Sequence, residues 1–146
     1  MDSLIWEQTD SPARADAAMV DAGLDAFNAS AADLDAVRPL ACFARRADGT
    51  LVGGAIARTW GACCEIQQLW VDEAHRRQGI GRRLVGMVEA EARARGCTLL
   101  YLETFSFQCP DLYRALGFEI ACAFEGFPDG IVKYTMRKAI RSDAAR

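Results

Sequence analysis

Residues 69–84 read LWVDEAHRRQGIGRRL, and this stretch decides the fold. An apolar strand runs into a basic turn, and two glycines punctuate the turn before a helix begins. The first N–H groups of a helix have no partner within it, and the helix dipole adds partial positive charge there. Gly79 and Gly81 carry no side chain, so a bulky anion can approach the backbone. The turn therefore predicts a diphosphate-binding site, with four further donors in Arg76, Arg77, Arg82 and Arg83.

Two other phosphate-binding motifs are excluded by spacing. The turn lacks the lysine and hydroxyl of the pattern G-x-x-x-x-G-K-[ST]. It also lacks the third glycine of G-x-G-x-x-G, and no ribose-binding acidic residue follows in a Rossmann arrangement. A nucleoside-triphosphate enzyme is thus disfavoured.

Three strand-like segments precede the turn: Leu40–Arg45, Leu51–Thr59 and Cys63–Val71. Their connections are short, which favours antiparallel pairing. Gly53 and Gly54 indicate a bend or a close backbone approach in the second segment. Alternation within the third segment predicts one shared face for four side chains: Glu65, Gln67, Leu69 and Val71.

The pattern after the turn is typical of a parallel crossover. A helix is predicted from Gly79 to Arg95 and a strand over Thr98–Leu102, so these elements imply a right-handed strand–helix–strand unit. A short helix and two closing strands follow: Pro110–Leu116, Phe118–Phe124 and Ile131–Met136.

The amino-terminal third is less regular. Leu4–Trp6 is predicted as an opening strand, and apolar residues at helical spacing predict a helix from Pro12 that breaks at Asn28 and Ser30. Asp33–Val37 is predicted as a brief second helix. We expect residues 1–140 to form one domain and residues 141–146 a flexible tail.

Composition limits the function further. The chain has 146 residues and a formal charge of −3, with no basic stripe, so nucleic acid is not an expected partner. No signal peptide is evident in Met1–Asp10, no apolar stretch is long enough to cross a bilayer, and a cytoplasmic location is expected. The six cysteines are scattered, and His75 is the only histidine. We therefore expect no metal and mainly free core thiols.

The motif Arg76-x-x-Gly79-x-Gly81 resembles the coenzyme A diphosphate motif of the GNAT superfamily of N-acetyltransferases. Residues 112–118, LYRALGF, are similar to a second segment of that family, at the usual distance. Residues 103–108 and 127–130 further resemble a bacterial subgroup, of the small-molecule type. The resemblance implies an α/β (α+β) fold: a mixed, mostly antiparallel sheet of six to seven strands, with a splayed parallel pair at its centre and helices flanking it.

The resemblance also implies where acetyl-CoA binds. In the family, the pantetheine arm enters the gap between the splayed strands, and the turn amides hold the diphosphate. Many members carry an asparagine near the position of Ser106, where serine offers a shorter group. The residues implied as cofactor-binding are Leu69, Trp70, Val71, Arg76, Arg77, Gln78, Gly79, Ile80, Gly81, Arg82, Ser106 and Tyr113.

The implied reaction is direct attack by a primary amine of a small molecule or peptide on the acetyl thioester. Glu65 is the first candidate for the base and Glu103 the second, although each also fits an ordinary polar strand residue. Tyr113 is implied as the acid that protonates the departing thiolate; packing of the short helix is its other interpretation. A non-catalytic acyl-CoA sensor remains the alternative function, and the sequence leaves a homodimer open.

Overall fold

The structure is a computed structural model, and it describes residues 3–144. These residues fall into two units, which divide between Asp35 and Ala36. In the first unit, helix α1 spans Arg14–Ala31. The expected strand at Leu4–Trp6 is wrong, because residues 3–9 form no regular structure.

Helix α1 continues through the residues that were predicted to break it. The hydroxyl of Ser30 donates to the carbonyl oxygen of Phe27 at 2.7 Å. The N–H of Ala32 donates to the carbonyl of Asn28 at 3.0 Å. Serine satisfied on its own helix in this way does not interrupt it. The second helix predicted at residues 33–37 is a single 3₁₀ turn, Leu34–Ala36.

The second unit contains a six-stranded sheet in the order β1-β2-β3-β4-β6-β5. Every neighbouring pair is antiparallel except β3 and β4, which are parallel. The mixed sheet with a central parallel pair is thus confirmed. The strands are β1 (Arg38–Arg45), β2 (Leu51–Trp60), β3 (Cys63–Val71), β4 (Leu99–Phe105), β5 (Glu119–Phe124) and β6 (Lys133–Ala139).

Two strands run further along the chain than their sequences indicated. β4 continues past Leu102 to Phe105, and β6 continues past Met136 to Ala139. The reason is their mutual pairing, which joins Leu99 to Ala139 at one end and Phe105 to Lys133 at the other. Local composition could not reveal this non-local ladder.

Helix α2 spans Ile80–Ala94, with Gly79 and Arg95 as its caps, and helix α3 spans Pro110–Ala115. Both lie close to the predicted bounds. One face of α2 packs on one face of the sheet and forms the core with strand side chains. The buried residues of α2 are Leu84, Val85, Val88 and Ala92.

A β-bulge at Gln67 changes which side chains of β3 face the core. Ala57 pairs with Ile66 and Ile56 with Gln68, so Gln67 lies opposite no residue of β2. Because one extra residue reverses the alternation of faces, Glu65 and Leu69 lie on opposite faces of the sheet. The expectation that they share a face is wrong.

The parallel ladder between β3 and β4 is short. It joins four residue pairs and ends at Ile66 and Leu102. Beyond these residues β3 remains paired with β2, and β4 remains paired with β6. The two strands therefore splay apart in the middle of an otherwise continuous sheet.

The thiols divide evenly between core and surface. All six are free, but only three are buried: Cys42, Cys64 and Cys97. The expectation of mainly core thiols is therefore too broad.

At the carboxyl end, the N–H of Asp143 donates to the carbonyl of Arg93 at 3.0 Å. The last two residues of the predicted tail lie outside the described residues.

We predict that Gly53→Val destabilises the fold by about 2 kcal/mol through overpacking. A Cβ at this position would lie 3.2 Å from Cγ2 of Ile80 and 3.2 Å from the carbonyl oxygen of Trp70. Chemical denaturation measures the change. Gly86→Ala on the exposed side of α2 is the control, since a Cβ there meets nothing within 4 Å. The control should gain roughly 0.5–1 kcal/mol. A wild-type unfolding midpoint for Gly53→Val would contradict the close approach.

Candidate active site

A cleft of about 740 Å³ opens where β3 and β4 separate. One wall is the second half of β3 and the turn after it, and the opposite wall is the end of β4 together with the segment leading into α3. Its lining includes ten of the twelve residues that the resemblance implied; Gln78 and Ser106 are the exceptions. The parts of the chain that were predicted to hold a cofactor thus share one cavity.

The turn presents a row of unpaired backbone donors. The first hydrogen bond of α2 runs from the N–H of Arg83 to the carbonyl of Gly79, at 3.0 Å. Among the described residues, the six N–H groups from Arg77 to Arg82 find no hydrogen-bond acceptor. Such donors at a helix start, where the dipole is positive, suit a diphosphate.

The two glycines of the turn serve different purposes. Gly79 has φ = 78°, a left-handed conformation that glycine adopts without strain, and a Cβ there would meet nothing within 4 Å. A Cβ on Gly81 would instead lie 3.4 Å from Cδ2 of Leu112 in α3. Gly79 thus allows the turn to form, while Gly81 lies beside Leu112, where a Cβ would make an ordinary van der Waals contact.

The turn is braced from both sides. The N–H of Asp72 donates to the carbonyl of Val52 at 2.8 Å, and the ring Nδ1 of His75 donates to Oδ2 of Asp72, also at 2.8 Å. This side-chain hydrogen bond holds the pKa of Asp72 below its ordinary value. Arg76 donates through Nε to the carbonyl of Val71 at 3.1 Å. These contacts fix the end of β3 relative to the exposed amides.

Tyr113 lies on the α3 side of the cleft. Its side chain is buried against Phe118, with the ring centroids 5.7 Å apart in an edge-to-face arrangement. Burial raises the pKa of the phenol to about 12, and the nearby thiol of Cys109 adds to the effect. The hydroxyl of Tyr113 has no hydrogen-bond partner among the described residues. In the same part of the chain, every buried side-chain nitrogen or oxygen atom has a partner, so the hydroxyl oxygen is not itself a buried atom. The hydroxyl is therefore open to the cleft and protonated at neutral pH.

The two candidate bases occupy different places. Glu103 lines the cleft and forms an ion pair with Lys133 at 2.9 Å. Glu65 is not part of the lining: it forms an ion pair with Arg58 at 2.8 Å and accepts a hydrogen bond from the hydroxyl of Tyr101 at 3.4 Å. Glu65 lies opposite Tyr101 within the paired part of β3 and β4, before the two strands separate, so it stands outside the gap.

Ser106 is engaged elsewhere. Its hydroxyl accepts the N–H of Val132 at 3.0 Å, and its own N–H donates to the carbonyl of Val132 at 2.8 Å. The cleft is lined on that side by Gln108 and Cys109 instead, neither of which the sequence singled out. Gln108 lies within residues 103–108, whose resemblance to a bacterial subgroup implied no role for it, and Cys109 follows directly.

Two further properties concern the described residues as a whole. None of their helices is long and apolar enough to cross a lipid bilayer. Within residues 3–144, no three histidine, cysteine, aspartate or glutamate side chains come together in an arrangement that could hold a metal ion.

Comparison with known proteins places this geometry in a family. Blasticidin-S acetyltransferase of Streptomyces morookaense is 34% identical over 107 residues, which are 70% of this chain and 79% of that protein. An acetyltransferase from Bacillus cereus has the same fold, with a TM-score of 0.75, 24% identity and coverage of 92% of this chain and 98% of its own. A Bacillus anthracis protein, solved in complex with acetyl coenzyme A, matches with a TM-score of 0.63 and 18% identity over 70% of this chain and 63% of its own. Residues 4–118 match the acetyltransferase (GNAT) family, whose members use acetyl-CoA, and the chain belongs to that family.

Proposed function

We propose that this protein is an acetyl-CoA-dependent N-acetyltransferase that acetylates a primary amine by direct attack. One observation carries the proposal: a single cleft joins the unpaired amides of the turn to the hydroxyl of Tyr113. The first feature suits a diphosphate, and the second suits a departing thiolate. The splayed strands between them suit an extended pantetheine arm.

Different parts of the chain bind different parts of acetyl-CoA. The amides from Arg77 to Arg82 hold the diphosphate, and Arg77 and Arg82 are among the residues that line the cleft. The exposed backbone of Leu69 and Val71 pairs with the pantetheine arm. Acetyl-CoA supplies the activated acyl group as a thioester.

The reaction requires a neutral amine. An alkyl amine has a pKa of about 10.4, so making it neutral near pH 7.4 costs about 4 kcal/mol. Its nitrogen attacks the thioester carbonyl, the carbon–sulfur bond breaks, and an amide bond forms. Glu103 accepts the surplus proton, directly or through water, because it is the candidate carboxylate that lines the cleft. Tyr113 gives its proton to the departing sulfur.

The acceptor in this proposal is a small molecule or a peptide with a primary amine. The similarity to a blasticidin-S acetyltransferase favours a small molecule. The formal charge of −3 favours a cationic amine. A location in the cytoplasm, where acetyl-CoA is made and used, agrees with this chemistry.

The competing function is an acyl-CoA sensor that binds the cosubstrate without turnover. A screen separates the two functions: the protein is incubated with acetyl-CoA and a panel of small-molecule and peptide amines, and free coenzyme A is measured by chromatography. Acetylated amine formed together with coenzyme A supports the enzyme. Tight acetyl-CoA binding without turnover on every amine would favour the sensor.

The first prediction concerns the turn. Gly79→Asp should weaken acetyl-CoA binding by about a hundredfold, roughly 2.7 kcal/mol, because a carboxylate would then face the diphosphate. Isothermal titration calorimetry measures the affinity. Gly79→Asn is the matched control, since asparagine and aspartate tolerate the left-handed conformation similarly. Equal affinities of the two variants would argue against a diphosphate at this position.

The second prediction concerns the acid. Tyr113→Phe should lower kcat by about 10²–10⁴-fold and leave the acetyl-CoA affinity close to wild type. Because burial raises the pKa of Tyr113 to about 12, the wild-type kcat should not fall between pH 8 and pH 10 through loss of this proton. Tyr134→Phe on β6, outside the cleft lining, is the control. Wild-type kcat in Tyr113→Phe would remove the acid role.

The third prediction separates the two carboxylates. Glu103→Gln should lower kcat by at least about tenfold, whereas Glu65→Gln should retain most of it. The two substitutions are isosteric, and each breaks one ion pair, with Lys133 or with Arg58. Steady-state kinetics on the best amine from the screen measures both. The reverse order of effects would assign the base to Glu65.

A further inference from the structure

Three aromatic rings come together where β4 ends, and they belong to two separate segments of the chain. The rings of Phe105 and Phe107 are nearly parallel, with an interplanar angle of 9° and a centroid distance of 5.3 Å. The ring of Phe127 meets Phe105 edge-on, at a centroid distance of 5.4 Å. Both arrangements are favourable for aromatic pairs. We call these three residues the aromatic cluster.

The two segments of the cluster are joined by backbone contacts. The hydroxyl of Ser106 accepts the N–H of Val132 at 3.0 Å, and the N–H of Ser106 donates to the carbonyl of Val132 at 2.8 Å. The ammonium of Lys133 lies 5.7 Å from the ring centroid of Phe105, within the range of a cation–π contact. The rings are therefore oriented by contacts within the protein.

Phe107 is the member of the aromatic cluster that reaches the cleft. It belongs to the lining, whereas Phe105 and Phe127 do not. Phe107 is also 66% exposed, which is unusual for a ring held in a cluster. Because one face of its ring is stacked on Phe105, the face that a ligand can cover is the opposite one.

The cluster is connected to the carboxylate that we propose as the base. Glu103 lines the cleft, and its carboxylate pairs at 2.9 Å with the same Lys133 ammonium that contacts Phe105. Glu103 and Phe105 are two residues apart on β4, so they lie on one face of the sheet. An apolar patch with charged groups at its rim is typical of a ligand-binding surface. An amine that approaches Glu103 therefore has an aromatic surface within its reach.

A stacked ring face favours one class of ligand. A planar aromatic ring can lie parallel to it and gains more than the burial of its area alone provides. A saturated ring is puckered and has no π-system, so it gains only from the burial of apolar area. The exposed face of Phe107 therefore favours planar, unsaturated groups.

We propose that the acceptor is a primary amine that carries an aromatic or heteroaromatic ring, and that this ring stacks on the exposed face of Phe107. The inference rests on the proposed function for the reaction and for the place of Glu103 in it. Phe107 then determines specificity and takes no part in proton transfer. Phe105 and Phe127 position its ring.

The test compares pairs of primary amines that differ only in the ring, such as 4-phenylbutylamine and 4-cyclohexylbutylamine. The butyl spacer keeps the ring from altering the basicity of the amine. We expect kcat/KM to be about fivefold higher for the aromatic amine of each pair. Burial of apolar area alone would favour the cyclohexyl compound, which has the larger apolar surface, so the two explanations predict opposite orders.

Two variants of Phe107 locate the effect. Phe107→Leu keeps an apolar side chain but loses the ring, so it should lower kcat/KM for the aromatic amine about fivefold, through KM, and leave the cyclohexyl amine close to wild type. Phe107→Tyr keeps the ring face and should retain the preference. Phe124→Leu is the matched control, because Phe124 is also exposed but lies on β5, outside the cleft lining.

Three results would overturn this inference and leave the proposed function intact. The first is a wild-type protein that acetylates saturated amines as well as their aromatic partners. The second is an equal loss on both members of a pair in Phe107→Leu. The third is a raised acetyl-CoA Kd in that variant by calorimetry, since the ring would then serve the cosubstrate. A wild-type protein that binds acetyl-CoA and acetylates no amine would overturn the proposed function, and this inference with it.

Discussion

The end of the parallel ladder at Ile66 and Leu102 is the constraint on which the site depends. Past this point β3 stays bonded to β2, and β4 stays bonded to β6. Each strand keeps its backbone hydrogen bonds to its other neighbour, so the two strands can separate while both remain part of the sheet. The separation of β3 and β4 also sets the positions of the turn that follows β3 and of helix α3, which follows β4.

The parts of the fold that local patterns determine could be predicted from the sequence. Glycine and arginine spacing predicted the turn, and apolar spacing predicted α2 to within a residue at each end. The side of the sheet on which Glu65 lies could not be predicted, because it depends on one unpaired residue in β3. The role of Ser106 also could not be predicted, because its partner Val132 lies 26 residues away and is brought to it by the tertiary fold.

The cleft combines two electrostatic environments. At the turn, backbone donors and guanidinium groups favour negative charge. Near Tyr113, burial disfavours charge and keeps the phenol neutral. An anionic group and a proton donor are thus accommodated in one cavity, since the helix start and the buried ring lie on different elements. Leu112 of α3 lies beside Gly81 at the start of α2.

Gly53 ties this chemistry to a distant part of the chain. The first residue of α2, Ile80, rests over the position where its side chain would be. The height of the first helical turn above the sheet is consequently set by a missing methyl group on β2. A larger residue at this position would therefore disturb the alignment of the turn amides as well as the packing of the core. Such a substitution would change ligand affinity and folding stability together.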